Sequence, residues 1–125
     1  MTINNPELYL KGIWDWKFLD SCFGQTKIKI TDIDGMVERN GFFLILETKM
    51  AGVSIPQGQK ILFRNFSNNG NHILVIWGHQ SDSSHDLLWI YPTGEKHYYG
   101  KSKDFIQKIV KTWYGQADAN SKFKR

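Results

Sequence analysis

Apolar and polar positions change rhythm several times along the chain, and each change predicts an element. From Asn5 to Gly24 the pattern reads as helix. Asn5 is a candidate N-cap with Pro6 at the first helical position, and Asp15 is a candidate cap for a second short helix carrying Trp16, Leu19 and Phe23. Gly24 is a natural C-terminal stop. Whether this is one kinked helix or two stays open. Lys27-Ile28-Lys29-Ile30 alternates with a period of two and predicts a strand. The alternation then slips, because Ile28 and Ile30 are even-numbered while Ile33 and Val37 are odd; a bulge or a strand break near Thr31 and Asp32 would account for it.

Asn40-Gly41 between apolar stretches predicts a type I′ hairpin turn, whose two central residues need positive φ. Phe42 to Leu46 is apolar at every position, as suits an inner strand covered on both faces. A loop from Met50 to Ile55 leads to a helix over Pro56 to Phe66, with Ser54 or Ile55 near its cap and Leu62, Phe63 and Phe66 on one face. Ser67 to Asn71 is a break, and Ile73 to Trp77 is a second buried strand. Strand, helix, strand implies a right-handed crossover and a parallel pair. Leu87 to Tyr91 and Lys96 to Tyr99 predict a further hairpin around Pro92-Thr93-Gly94. A last helix starts near Ser102, with Phe105, Ile106, Ile109, Val110 and Trp113 facing the core. Together these predict one domain over residues 1–115 and a polar, loose tail over 116–125.

Composition narrows the class. The chain has 125 residues, 41% hydrophobic and 22% charged, with 8 Phe, 5 Trp and 5 Tyr, which excludes a wholly disordered protein. The single Cys22 excludes a disulfide scaffold and suits a small core-facing hydrophobe. No apolar run approaches the ~18 residues of a membrane span, and no leader pattern opens the chain. The expectation is a cytoplasmic protein, in the host cytoplasm if phage-encoded, with no membrane partner. The net charge of +4 permits a polyanionic partner without demanding one.

The candidate chemistry comes from the hairpin. With a two-residue loop at Asn40-Gly41, Asp34 falls opposite Glu47 and Asp32 opposite Lys49. Opposed residues, and residues two apart on a strand, share a face. Asp32, Asp34, Glu47 and Lys49 are thus expected to form one cluster. Carboxylates so placed among apolar neighbours must be paired or bound to a cation, and Mg²⁺ suits a few carboxylate oxygens with waters retained for a substrate. Lys49 would then hold or help deprotonate an attacking water, or steady a phosphate. The plainer account is that cross-strand acid–base pairs decorate a solvated face, and Glu-x-Lys alone recurs by chance in many chains.

Asp34, thirteen residues before Glu47-Thr48-Lys49 across a hairpin, resembles the signature of the PD-(D/E)XK nuclease superfamily. Asp32-Ile33-Asp34-Gly35, Asn40-Gly41, Glu47-Thr48-Lys49 and Gln57-Gly58-Gln59 are together similar to the small phage and bacterial virus-type replication-repair (VRR-NUC) nucleases. The resemblance covers residues 25–78. It implies an α/β, restriction-endonuclease-like αβββαβ core with a mixed central sheet flanked by helices. It implies metal binding by Asp34, Glu47 and the Thr48 carbonyl, with Asp32 as rival to Asp34 because it sits where the family's PD aspartate could also fall, Thr31 there replacing the family's proline. It implies Lys49 at the attacking water and Gln59, or more weakly Gln57, near the site. The acidic residue that many members add from the first helix is open between Glu7, Asp15 and Asp20.

The implied activity is Mg²⁺- or Mn²⁺-dependent hydrolysis of DNA phosphodiester bonds, in phage-type replication, recombination or repair. The small size suggests a homodimer acting on branched DNA such as a four-way junction. A nickase or exonuclease is a second expectation; a non-catalytic nuclease-fold DNA-binding protein, or an inhibitor of a host system, is a third. His72, His79, His85 and His97 lack metal-ligand spacing, with His79 and His85 expected to be solvated. The tryptophans are expected mostly in the core, with Trp14 or Trp16 free for an interface. Lys101, Lys103, Lys108, Lys111, Lys122, Lys124 and Arg125 make the C-terminal third basic, either as a solvated helix face or for phosphate contact.

Overall fold

The computed structural model describes residues 14–120. The chain divides into two compact units, Met1–Asp32 and Ile33–Arg125. The proposed Asn5 cap, Pro6 and Glu7 lie outside the described residues.

In the first unit a 3₁₀ helix spans Trp16–Phe23, capped as its sequence requires: the Asp15 carboxylate accepts from the Lys17 N–H at 3.0 Å, and Gly24 follows with φ 68°. Trp14 stacks on Trp16 with ring centroids 5.5 Å apart, and Trp16 Nε1 donates to Asp32 Oδ1 at 3.1 Å. Lys27 to Ile30 is not a strand, and Ile28 and Ile30 are exposed. Alternation supplies a face but not a partner, and without a ladder the backbone gains nothing from extension. No strand runs through Thr31 and Asp32, so of the bulge and the break expected there only the break fits. Cys22 is exposed rather than core-facing.

The second unit is α/β, with a five-stranded mixed sheet in the order β1-β2-β3-β4-β5 and two flanking helices. The strands are β1 (Gly35–Arg39), β2 (Phe42–Lys49), β3 (His72–Trp77), β4 (His85–Tyr91) and β5 (Gly94–Lys101); the helices are α1 (Gln57–Ser67) and α2 (Lys103–Ala119). Among the described residues two strands, not three, precede α1, so their element order departs from αβββαβ where Lys27–Ile30 drops out.

The hairpin forms in the expected register, Arg39 opposite Phe42, with Asn40 at φ 53° and Gly41 at φ 85°. Only β2 and β3 are parallel, with α1 as their connection; every other pairing is antiparallel. Period-two alternation then divides the core. Ile45, Phe63, Ile73, Val75, Leu88 and Ile90 pack on the α1 side. Leu44, Leu74, Leu87, Ile109, Trp113 and Ala117 pack on the α2 side. A fully buried residue of this size contributes about 1.5–3 kcal/mol, so losing either face would unfold the unit.

Three further expectations change. Leu62 is exposed while Phe63 and Ser67 are buried, because the face of α1 toward the sheet follows Gln59, Phe63 and Ser67 at a spacing of four. The C-terminal helix runs beyond residue 116 to Ala119 and buries Ala117, so residues 116–119, expected in the polar tail, are helical. Trp113 is buried, Trp77 and Trp89 are partly buried, and Trp14 and Trp16 are exposed. No helix among the described residues is long and apolar enough to cross a membrane.

Candidate functional site

β2 is apolar as far as Leu46 and then turns to Glu47-Thr48-Lys49. Glu47 and Lys49 share the α1 face with Ile45, beside Val75 and Trp77 of the parallel strand β3. Glu47 is therefore a carboxylate in the core, 8% exposed. Lys49 Nζ lies 3.4 Å from Glu47 Oε1, with side chains only 12% and 10% exposed. That contact is long beside the 2.7–2.9 Å of a strong charge-assisted bond.

Because β2 and β3 are parallel and α1 connects them, the start of α1 returns to the end of the sheet where Glu47 and Lys49 stand. Gln59 is in the first turn of α1, one turn before buried Phe63 and so on the sheet-facing side. Its Oε1 is buried with no hydrogen-bond partner among the described residues, a costly state for an amide oxygen. Gln57 opens the helix and is exposed. The loop between β2 and α1 is tied to β3, with Gly78 N–H donating to the Lys49 carbonyl at 2.8 Å and Trp77 Nε1 to the Val53 carbonyl at 2.6 Å.

Asp34 is placed by a side-chain contact and not by the ladder. The β1 ladder begins at Gly35, so no strand pairing sets Asp34 against Glu47. Its Oδ2 accepts from the Thr48 N–H at 2.8 Å and the Thr48 hydroxyl at 3.0 Å. The carboxylate thus satisfies a β2 donor beyond the end of β1, which is a structural use of its charge. Within the second unit, Glu47 and Lys49 stand on one face of β2 as expected, and Asp34 is held at Thr48 through its Oδ2. Asp32 belongs to the N-terminal unit, where it accepts from Trp16, and Asp15 there is occupied as a helix cap. Asp20 lies in the same 3₁₀ helix.

Among the described residues no group of three or more His, Cys, Asp or Glu side chains is arranged to hold a metal. The remaining oxygen donors, Glu47 and Asp34, are nevertheless hard carboxylates, of the kind and number that Mg²⁺ accepts alongside waters and phosphate.

Sequence reading missed His85. It is 4% exposed rather than solvated, with Nε2 2.6 Å from the His79 carbonyl and Nδ1 buried without a partner among the described residues. Its loop is closed by Asp82, whose carboxylate accepts from the His79 N–H at 2.9 Å. The available signal was position: His85 opens β4, two residues before buried Leu87, and so alternates onto the same face. No protein-family model matches this chain, and no curated protein or solved structure matches it either.

Proposed function

We propose that this protein is a metal-dependent DNA endonuclease of the PD-(D/E)XK type, similar to the VRR-NUC group, acting on branched DNA as a homodimer. One observation carries the reading: a buried, loosely made Glu47–Lys49 pair at the carboxyl end of a parallel strand pair. Taking two charges out of water costs several kcal/mol per ion, and a purely structural pair would recover that through short, complete hydrogen bonding. The carboxyl ends of parallel strands are also where α/β sheets place their ligand sites.

In this reading Glu47, the Asp34 oxygen not bonded to Thr48, and the Thr48 carbonyl would hold Mg²⁺ or Mn²⁺. The ion would supply Lewis-acid stabilisation of charge on the phosphoryl group. Lys49 orients the attacking water and stabilises negative charge at phosphorus. Gln59 offers its buried oxygen to a water or substrate hydroxyl, which relieves its lack of a partner. Water attack in line breaks one P–O ester bond and leaves a phosphate on one fragment and a hydroxyl on the other.

The test is purified protein with Mg²⁺ or Mn²⁺ on labelled four-way junction, flap and linear duplex DNA. Cleavage of the junction is expected, with Glu47→Gln and Lys49→Met each slowing it by at least about 100-fold. Undiminished cleavage by Glu47→Gln would refute the site. A second reading, a nuclease-fold protein that binds DNA without cutting it, is favoured by the engagement of Asp34 with Thr48 and the lack of a three-ligand cluster among the described residues. DNA shifted in a gel but never cut would establish it.

A further inference from the structure

The α1 face of the sheet does not end at Glu47. Pairing register sets Glu47, Val75, Leu88 and His97 in one row across β2, β3, β4 and β5. Where α1 stops covering that row, a cavity of about 440 Å³ opens, with Leu88 and Ile90 as its floor and Lys60, Arg64, Trp77 and His97 around it. A second cavity of about 260 Å³ shares Trp77 and His97 and adds Tyr99. The two adjoin at Trp77 and His97, along β4 and β5.

Three kinds of group meet there. Tyr99 is 71% exposed and lies parallel to His97, with centroids 6.2 Å apart and planes at 8°. Lys60 has no ion-pair partner among the described residues. Arg64 is anchored by Ser67 Oγ at 3.2 Å and the Tyr91 carbonyl at 3.3 Å, and its Nη2 reaches Glu95 only at 3.5 Å. Glu95 also lies 3.8 Å from His97 Nε2. In the larger cavity two permanent cations, Lys60 and Arg64, stand against this one carboxylate, and the smaller cavity adds Asp86, whose Oδ1 already accepts from the Gly100 N–H at 3.0 Å.

The geometry points to a nucleotide-binding cleft: Trp77, His97 and Tyr99 receive a base, and Lys60 and Arg64 its phosphate. Planar rings beside cations over an apolar floor are how proteins hold unpaired bases without reading their sequence. A volume of about 440 Å³ falls within the usual range for small-ligand sites. At ordinary strand spacing the His97 end of the row is roughly 14 Å from Glu47, so a nucleotide seated here directs the adjoining strand toward that carboxylate. The choice of a DNA strand as the source rests on the proposed nuclease activity; the binding itself requires neither metal nor cleavage.

The test is fluorescence anisotropy of labelled dT12 in EDTA, with unlabelled dTMP as competitor. Tyr99→Ala is expected to weaken dT12 binding about tenfold, and Lys60→Gln to lower the slope of log affinity against log salt by about 0.7. Lys108→Gln on α2 should match the parent within twofold. Tyr99 and Lys60 are exposed, so folding is preserved, and circular dichroism verifies it. Parent-like binding by both Tyr99→Ala and Lys60→Gln overturns the cleft. Competition by dTMP at the affinity of dT12 supports a free nucleotide as occupant and overturns the strand. Cleavage is scored separately with Mg²⁺. Weakened binding in Tyr99→Ala beside undiminished cleavage in Glu47→Gln removes the catalytic site but not the cleft. The reverse pattern removes the cleft alone.

Discussion

Replacing Glu47 and Lys49 together, by Leu and Met, asks what the buried pair is for. At 3.4 Å and an effective dielectric of 20, its gross attraction is about 5 kcal/mol. Desolvation of several kcal/mol for each ion offsets that. Removing one partner leaves the other charge stranded between Ile45, Val75 and Trp77. Such a loss costs 3–5 kcal/mol for a fully buried pair. Side chains that keep about a tenth of their exposure, joined by a long contact, bring it to about 2–3 kcal/mol for Glu47→Gln or Lys49→Met. The double variant Glu47→Leu/Lys49→Met strands no charge and extends an apolar face. It is expected within about 1 kcal/mol of the parent, or more stable, while losing all cleavage. Urea unfolding followed by circular dichroism, alongside junction cleavage in Mg²⁺, reads both quantities. A double variant that loses as much as the two singles combined would refute the reasoning, since the pair would then be a net stabiliser needing no function to explain it.

Asn40→Ala should cost about 1–3 kcal/mol in urea unfolding. It removes an amide that donates to the Ala117, Asp118 and Asn120 carbonyls at 3.1, 3.2 and 3.0 Å, and puts a less tolerant residue at φ 53°. Gln59→Leu should raise stability by about 1 kcal/mol, because it removes a buried oxygen without a partner, while junction cleavage falls; unchanged cleavage would remove Gln59 from the site. Burial holds the His72 imidazole below its ordinary value, and its Nδ1 accepts from Trp89 Nε1 at 3.0 Å. The unfolded chain therefore takes up a proton near pH 6.5 while the folded one does not. Stability is complete above that pH and declines as pH falls below it, with a shallower decline in His72→Gln across urea midpoints from pH 8 to 5.

What the sequence determined by itself was local. Asn40-Gly41 dictates the hairpin because positive φ is cheap there. The unbroken apolar runs of β2 and β3 demand cover on both faces, and a helix between them makes their pairing parallel. Ser102 and the spacing of Phe105, Ile109 and Trp113 define the last helix. Each of these follows from backbone sterics or periodicity within a dozen residues. Glu47 and Lys49 were legible as one face of β2 for the same reason. Tertiary structure decided whatever required a partner. Lys27 to Ile30 alternates correctly but has no ladder to join. Asp34 is claimed by an unpaired N–H of Thr48 that becomes available only once β1 ends at Gly35. His85 is buried by the sheet it enters, and the cleft between α1 and β5 joins residues almost forty positions apart. A chain's pattern states which side of an element avoids water, but the hydrogen bonds left over at element ends, and the faces left uncovered, exist only after the elements have packed.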